Sequence, residues 1–128
     1  MQGLILASTS PRRQELLQKI GVAFEAVASD FEEVFDNRPP RVQALHLARQ
    51  KVESVLQHSP QLASEVILGA DTCIDLDGKV LGKPASRHEA RSFLQHISGR
   101  THRVITALSL WNGGVKEFHD EAETTLIH

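Results

Sequence analysis

The sequence predicts an α/β fold, a mixed twisted sheet flanked by helices. Three features of the 128-residue chain point there. Strand-length apolar runs alternate with segments of helical period through the first half, the pattern of parallel strands joined by helices. An Asp-Gly pair at 77–78 follows the apolar stretch 66–76 and marks a hairpin. A long strand-like run at 102–111 is followed by Asn-Gly-Gly and a further strand pattern, which adds antiparallel pairing to the parallel part.

The elements follow in order. "GLILAS", residues 3–8, is a short apolar run ending in small polar residues and reads as a buried strand. A helix follows, with Ser10 as N-cap, Pro11 in the first helical position and Gly21 closing the far end. It places Leu16, Leu17 and Ile20 on one face. "FEAVASD", 24–30, alternates and suits a second strand, and 32–40 is an acidic turn region ending in two prolines. The clearest helix spans about 41–57, where Val42, Leu45, Ala48, Val52, Val55 and Leu56 recur at helical spacing. A loop at 58–65 leads into a buried strand, 66–76, with Asp71 near its middle, and a hairpin over 72–82. Ser86 and Glu89 form a capping box for a third helix that turns Phe93, Leu94 and Ile97 inward and stops at Gly99. The strand 102–111, a turn at 112–114 and a last strand complete the order. Because the sequence stops while that strand is under way, an exposed edge is expected. The expectation is a single domain over 1–128 that lacks the C-terminal part of its full fold or completes itself through a partner, such as a homodimer.

Composition narrows the function. The chain is 41% apolar and 23% charged, as in ordinary soluble globular proteins. A net charge of -2 supplies no global basic field for nucleic acid, and 5% aromatic content with no Tyr provides few stacking platforms. No nucleic-acid partner is expected, and any anion site must be local. One cysteine, Cys73, forms no internal disulfide and fits a reducing compartment. No signal-peptide pattern is present, and no apolar run reaches the ~18 residues of a membrane helix. The expected address is the cytoplasm, with no membrane partner.

One local anomaly stands out. Arg12 and Arg13 occupy the first turn of the first helix, the positive end of its dipole, where cations are disfavoured. A strand, a small-residue loop and a helix N-terminus form an anion cradle, and Ser8, Thr9 and Ser10 add hydroxyl donors. Arginine grips phosphate oxygens bidentately, so a bound phosphate turns the repulsion into attraction. The alternative is two solvated arginines at a small cost. Asp71 lies among apolar and small neighbours, where a carboxylate requires pairing, a metal or a backbone cradle. It suits a metal ligand or general base, or else a structural carboxylate. Lys51 borders the apolar face of the long helix and on position alone reads as a lysine snorkelling past the core. Lys83 sits in a Gly-Lys-Pro corner, a weak signal alone, and Glu32 and Glu33 alone read as a solvated acidic turn. A metal bridging phosphates would need a second carboxylate beside Asp71. No P-loop or dinucleotide fingerprint occurs, and His88-Glu89 fails the zinc motif because position 92 is Ser.

Taken together, "LASTSPRRQELL" (6–17), "ARQKVESV" (48–55), "ILGADTCIDLDGKVLGKP" (67–84) and "EARSFLQHISGRTHRVITALSL" (89–110) resemble the Maf family of nucleotide pyrophosphatases, in order and spacing. The resemblance implies a Maf/ITPase-like fold and cleavage of a nucleoside triphosphate into monophosphate and pyrophosphate with Mg²⁺ or Mn²⁺. By position, it assigns Ser8, Ser10, Arg12 and Arg13 to phosphate binding, Lys51 and Lys83 to phosphate contact, and Asp71 and Glu33 to catalysis and metal binding. Arg12, where other members carry an aromatic after the proline, resembles the subgroup associated with dTTP and UTP. Family members continue into a further C-terminal segment, whereas this sequence stops at "TTLIH". Maf-like proteins have also been linked to septum formation and cell-division arrest, so the competing expectation is a non-catalytic nucleotide-binding protein.

Overall fold

The structure, a computed structural model, describes residues 4–29, 31, 38–76, 79–81 and 102–127. The expected third helix, Glu33 and Lys83 lie outside the described residues. Strand β1 (Leu4–Leu6) leads to helix α1 (Pro11–Lys19) and strand β2 (Phe24–Ala26). Helix α2 (Pro40–His58) and a short 3-10 helix (Pro60–Ser64) precede the long strand β3 (Val66–Leu76). Then come β4 (Lys79–Leu81), β5 (His102–Asn112) and β6 (Glu117–Ile127).

All six strands form one sheet in the order β2-β1-β3-β5-β6, with β4 also paired to β3. Strand β1 pairs in parallel with both β2 and β3, while β3, β4, β5 and β6 pair antiparallel. The first crossover runs from β1 out to β2 through α1 and the second runs back from β2 past β1 to β3 through α2, so their right-handed sense puts the two helices on opposite faces. Among the described residues no helix is long and apolar enough to cross a membrane.

Helix α2 supplies the main packing. Its face of Ala44, Leu47, Ala48, Val52 and Val55 is fully buried or nearly so. One cluster joins Val52 and Val55 to Ile5, Ala7 and Ile67, and a second joins Ala44 and Ala48 to Cys73, Ile105 and Ala107. Gly69 is what allows the helix so near. A Cβ there would collide with the Ala48 carbonyl and lie 2.8 Å from Val52 Cγ2. At the other end of β3, Trp111 Nε1 donates to the Ala63 carbonyl at 2.9 Å and the Gly113 N–H donates to Glu65 O at 3.0 Å. These bonds tie the 3-10 helix to the β5–β6 turn.

Three expectations change. The second strand ends at Ala26 rather than reaching residue 30, because β1 turns away after Leu6 and leaves residues beyond Val27 without a ladder. The apolar side of α1 is not core: Leu16 is 57% and Ile20 71% exposed, and the helix buries no residue. Val42, counted in the apolar pattern of α2, is likewise exposed, while Leu47 takes the central place.

Candidate active site

The strand order β2-β1-β3, with helices on opposite faces, opens a crevice beyond the C-terminal end of β1, alongside the middle of the longer β3, at the kind of switch point where α/β sheets hold ligands. Strand β1 stops at Leu6 and its chain turns through Ala7–Ser10 into α1. The Ser8 hydroxyl, buried, accepts the Ser10 N–H at 3.0 Å and tightens this loop. Ser10 is the N-cap, as its position predicts, but its side chain makes no capping bond, and no acidic residue occupies the first turn. The positive end of the α1 dipole is therefore offered to the crevice together with the cations of Arg12 and Arg13, both of which line it.

The same early end of β1 explains Lys51. The Ala7 N–H bonds Leu68 O at 2.8 Å, the last rung between β1 and β3. The next carbonyl on that edge, Ala70 O, lies past the end of β1. Lys51 reaches across from α2 and donates to it at 2.9 Å. The same ammonium lies 3.2 Å from Asp71 Oδ1, and the two side chains are only 10% and 11% exposed. Asp71 points toward the α2 face like Ile67, Gly69 and Cys73, and Lys51 neutralises a charge that burial alone would make costly. Lys51 is thus a buried ion-pair partner of Asp71 rather than a lysine snorkelling past the core to solvent.

Together these groups line a cleft of about 610 Å³. Its floor is the sheet face opposite α2, with Leu6, Leu68, Ala70 and Leu108 and the pair Thr72 and Thr106. Leu16 and Leu17 of α1 form a wall, and Ser10, Arg12, Arg13, Lys51 and Asp71 supply the polar lining. The structure thus brings together six of the eight residues singled out from sequence, with Ser8 shaping the loop behind the cleft. Sequence reasoning missed the floor. The alternation of β5 separates Thr106 and Leu108 from the buried Ile105, Ala107 and Ser109 and was the available signal.

Cys73, two residues beyond Asp71, is core, as the apolar run suggests. Burial, and then the charges of Asp71 and Asp75, raise its thiol pKa to about 11. It stays protonated and unreactive at neutral pH. Asp75, further along, has the Arg103 guanidinium 3.9 Å away. Among the described residues no three His, Cys, Asp or Glu side chains gather as a metal site would require of protein ligands alone.

Residues 3–128 match the family described as Maf-like protein. The chain belongs to the Maf-like family. A dTTP/UTP pyrophosphatase of Fusobacterium nucleatum is 44% identical over 104 residues, covering 81% of this Maf-like chain and 53% of that protein. One from Akkermansia muciniphila is 45% identical over 108 residues, covering 84% of this chain and 56% of that protein. One from Bacillus velezensis is 44% identical over 124 residues, covering 95% and 64%. The Maf-like chain therefore spans about half to two thirds of the length of these relatives. Among solved structures, a HAM1 protein from Coxiella burnetii aligns with a TM-score of 0.62 over 98% of this chain and 72% of its own, at 14% identity. The Staphylococcus aureus Ham1 protein gives 0.61 at 12% identity, over 98% and 70%. At such identities the likeness is one of fold.

Proposed function

We propose that this Maf-like chain is a nucleoside triphosphate pyrophosphatase that converts dTTP and UTP to their monophosphates and pyrophosphate. The observation that carries the reading is the Lys51–Asp71 pair, 3.2 Å apart, opening onto the same cleft as Arg12 and Arg13. A triphosphate brings about four negative charges, and catalysis of its cleavage is mostly positioning and charge stabilisation. The α1 N-terminus and its arginines hold the phosphates, and Lys51 adds a third cation, with Lys83 as a fourth. Asp71, assisted by Glu33, orients a water and takes its proton as the water oxygen bonds the α-phosphorus. The bond to the β-phosphate oxygen breaks, and pyrophosphate leaves. The names of the relatives and the family membership support both the reaction and the pyrimidine substrates.

The residues fit a hard divalent ion. Magnesium is ordinarily held by one or two carboxylates together with substrate phosphates, and Asp71 brings a carboxylate to a cleft also lined by Arg12, Arg13 and Lys51. Asp71, with Glu33, would hold Mg²⁺ or Mn²⁺, which would supply further neutralisation of the phosphate charge. We place this house-cleaning activity in the cytoplasm, in a homodimer, without membrane or nucleic-acid partners.

The deciding experiment is pyrophosphate release from dTTP, UTP, CTP and GTP with Mg²⁺ or Mn²⁺, run beside Asp71→Asn. Release that falls at least ~100-fold in the variant is expected for loss of the general base. Full turnover by Asp71→Asn would remove Asp71 from the mechanism. Nucleotide binding by calorimetry with no release from the unmutated chain would favour the non-catalytic binder.

A further inference from the structure

The floor of the cleft lies outside the charged groups proposed above to hold the phosphates. Thr72 and Thr106 are directly opposed in the β3–β5 ladder and both line the cleft. Directly opposed side chains on one face stand about 5 Å apart at Cβ, so their hydroxyls form one polar patch. Both residues are exposed, while their in-strand neighbours Cys73 and Ile105 are buried against α2. Next to this patch the floor is apolar, with Leu68, Ala70 and Leu108, the last 42% exposed, facing the α1 leucines. Leucines beside a hydroxyl pair, with the cations of Arg12, Arg13 and Lys51 in the same lining, are complementary to a molecule with a flat apolar ring, a few hydrogen-bonding edge groups and a polyanionic tail. A pyrimidine nucleotide has that shape and chemistry.

Resting on the pyrophosphatase reading, we infer that Thr106 is a specificity-determining residue, whose hydroxyl hydrogen-bonds the nucleoside of the substrate where it lies on the Leu68–Leu108 floor. Thr106 makes no contact with the reacting phosphates. It acts on which nucleotide is held, and Thr72 supports it from the neighbouring strand. A site built to bond a polar substrate group discriminates more sharply than an apolar one, because the wrong ligand leaves that group unpaired.

Thr106→Val keeps the β-branched shape and removes the hydroxyl, and Thr106→Ser keeps the hydroxyl. Binding is measured by calorimetry with Mg²⁺ for non-hydrolysable imido analogues of dTTP, UTP and GTP, and for inorganic tripolyphosphate, which has no nucleoside. The expected result is that Thr106→Val weakens the preferred pyrimidine analogue about 5- to 10-fold, the size of a single lost hydrogen bond. Discrimination against the GTP analogue narrows, tripolyphosphate affinity stays within two-fold, and Thr106→Ser behaves like the unmutated chain. Pyrimidine affinity within two-fold in Thr106→Val would overturn the inference while leaving the pyrophosphatase reading in place. So would a parallel loss of tripolyphosphate binding, which would make Thr106 part of the phosphate site or of the scaffold. If the unmutated chain binds tripolyphosphate but no nucleotide in preference to it, the inference and the substrate reading fall together.

Discussion

At the scale of single residues, the Lys51–Asp71 pair has opposite consequences for stability and activity. Breaking a buried pair leaves an uncompensated charge, and here it also removes the donor to Ala70 O. Lys51→Met is expected to lower unfolding free energy by about 3–5 kcal/mol. Replacing both partners, as in Lys51→Met with Asp71→Leu, is expected to restore most of that stability while pyrophosphate release stays abolished. Urea unfolding with matched m-values reads the first effect and the release assay the second. A double variant no more stable than Lys51→Met would show that the pair is not the source of the loss. Cys73 gives a pH effect whose sign follows from its burial. Its thiol is raised from 9.0 to about 11 in the folded chain, so between those values the unfolded chain ionises and the folded chain does not. The contribution to stability is fully present below pH 9 and is lost as pH rises through about 11. Cys73→Ala is expected to flatten the alkaline decline of the melting temperature between pH 8.5 and about 11, whatever it costs at neutral pH. An unchanged slope would assign that decline to other groups. These residues differed in how plainly the sequence showed them. Asp71 stood out because a carboxylate in an apolar run demands an explanation, and the arginines because they oppose a dipole. Lys51 did not, since helical periodicity puts it at the border of a face and is silent on an open carbonyl across the gap. Thr106 was hidden because alternation tells which side of a strand a residue takes, and not that this side floors a cleft.

Among the elements, α2 and β3 decide where the charges meet, and Gly69 sets their spacing. The Ala48 carbonyl belongs to the helix backbone and cannot swing aside as a long side chain could. Gly69→Ala is expected to push α2 off the sheet, cost about 1–3 kcal/mol as overpacking, and draw Lys51 away from Asp71. Activity should therefore fall by more than the stability loss alone explains, in assays run well below the melting temperature. Wild-type turnover in a folded Gly69→Ala chain would mean that the helix has room to spare. The long elements were legible from sequence: β3 occupies 66–76 as expected, and α2 and β5 each exceed the expected bounds by a residue at one or both ends. Their apolar periodicity is sustained, and packing against each other confirms it physically. The short ones were less so. Strand β2 is as long as β1 lets it be, a fact that local alternation does not contain. The leucines of α1 have helical spacing without being core, because spacing records a face and not what that face meets.

For the molecule as a whole, a net charge of -2 and a strongly cationic cleft coexist because the positive groups are few and gathered at one point, the switch between β1 and β3. One long strand links packing to chemistry: β3 carries Ile67 in the core, Gly69 under the helix and Asp71 in the cleft. The anionic side of the site is thereby fastened to the most deeply buried part of the protein. Lys51 shares that anchorage, but Arg12 and Arg13 do not, because α1 buries no residue. Amide protons of β3 should therefore exchange with solvent only on global unfolding, whereas those of α1 should exchange through local opening many orders of magnitude faster. Adding a nucleotide should slow α1 selectively, and mass spectrometry of deuterium uptake would resolve the two segments. Equal protection of α1 and β3 in the free chain would show that the helix is anchored by more than its packing. In the proposed pyrophosphatase a nucleotide would then meet one side that is already fixed and one that it must itself settle, and part of its binding energy would go into ordering α1.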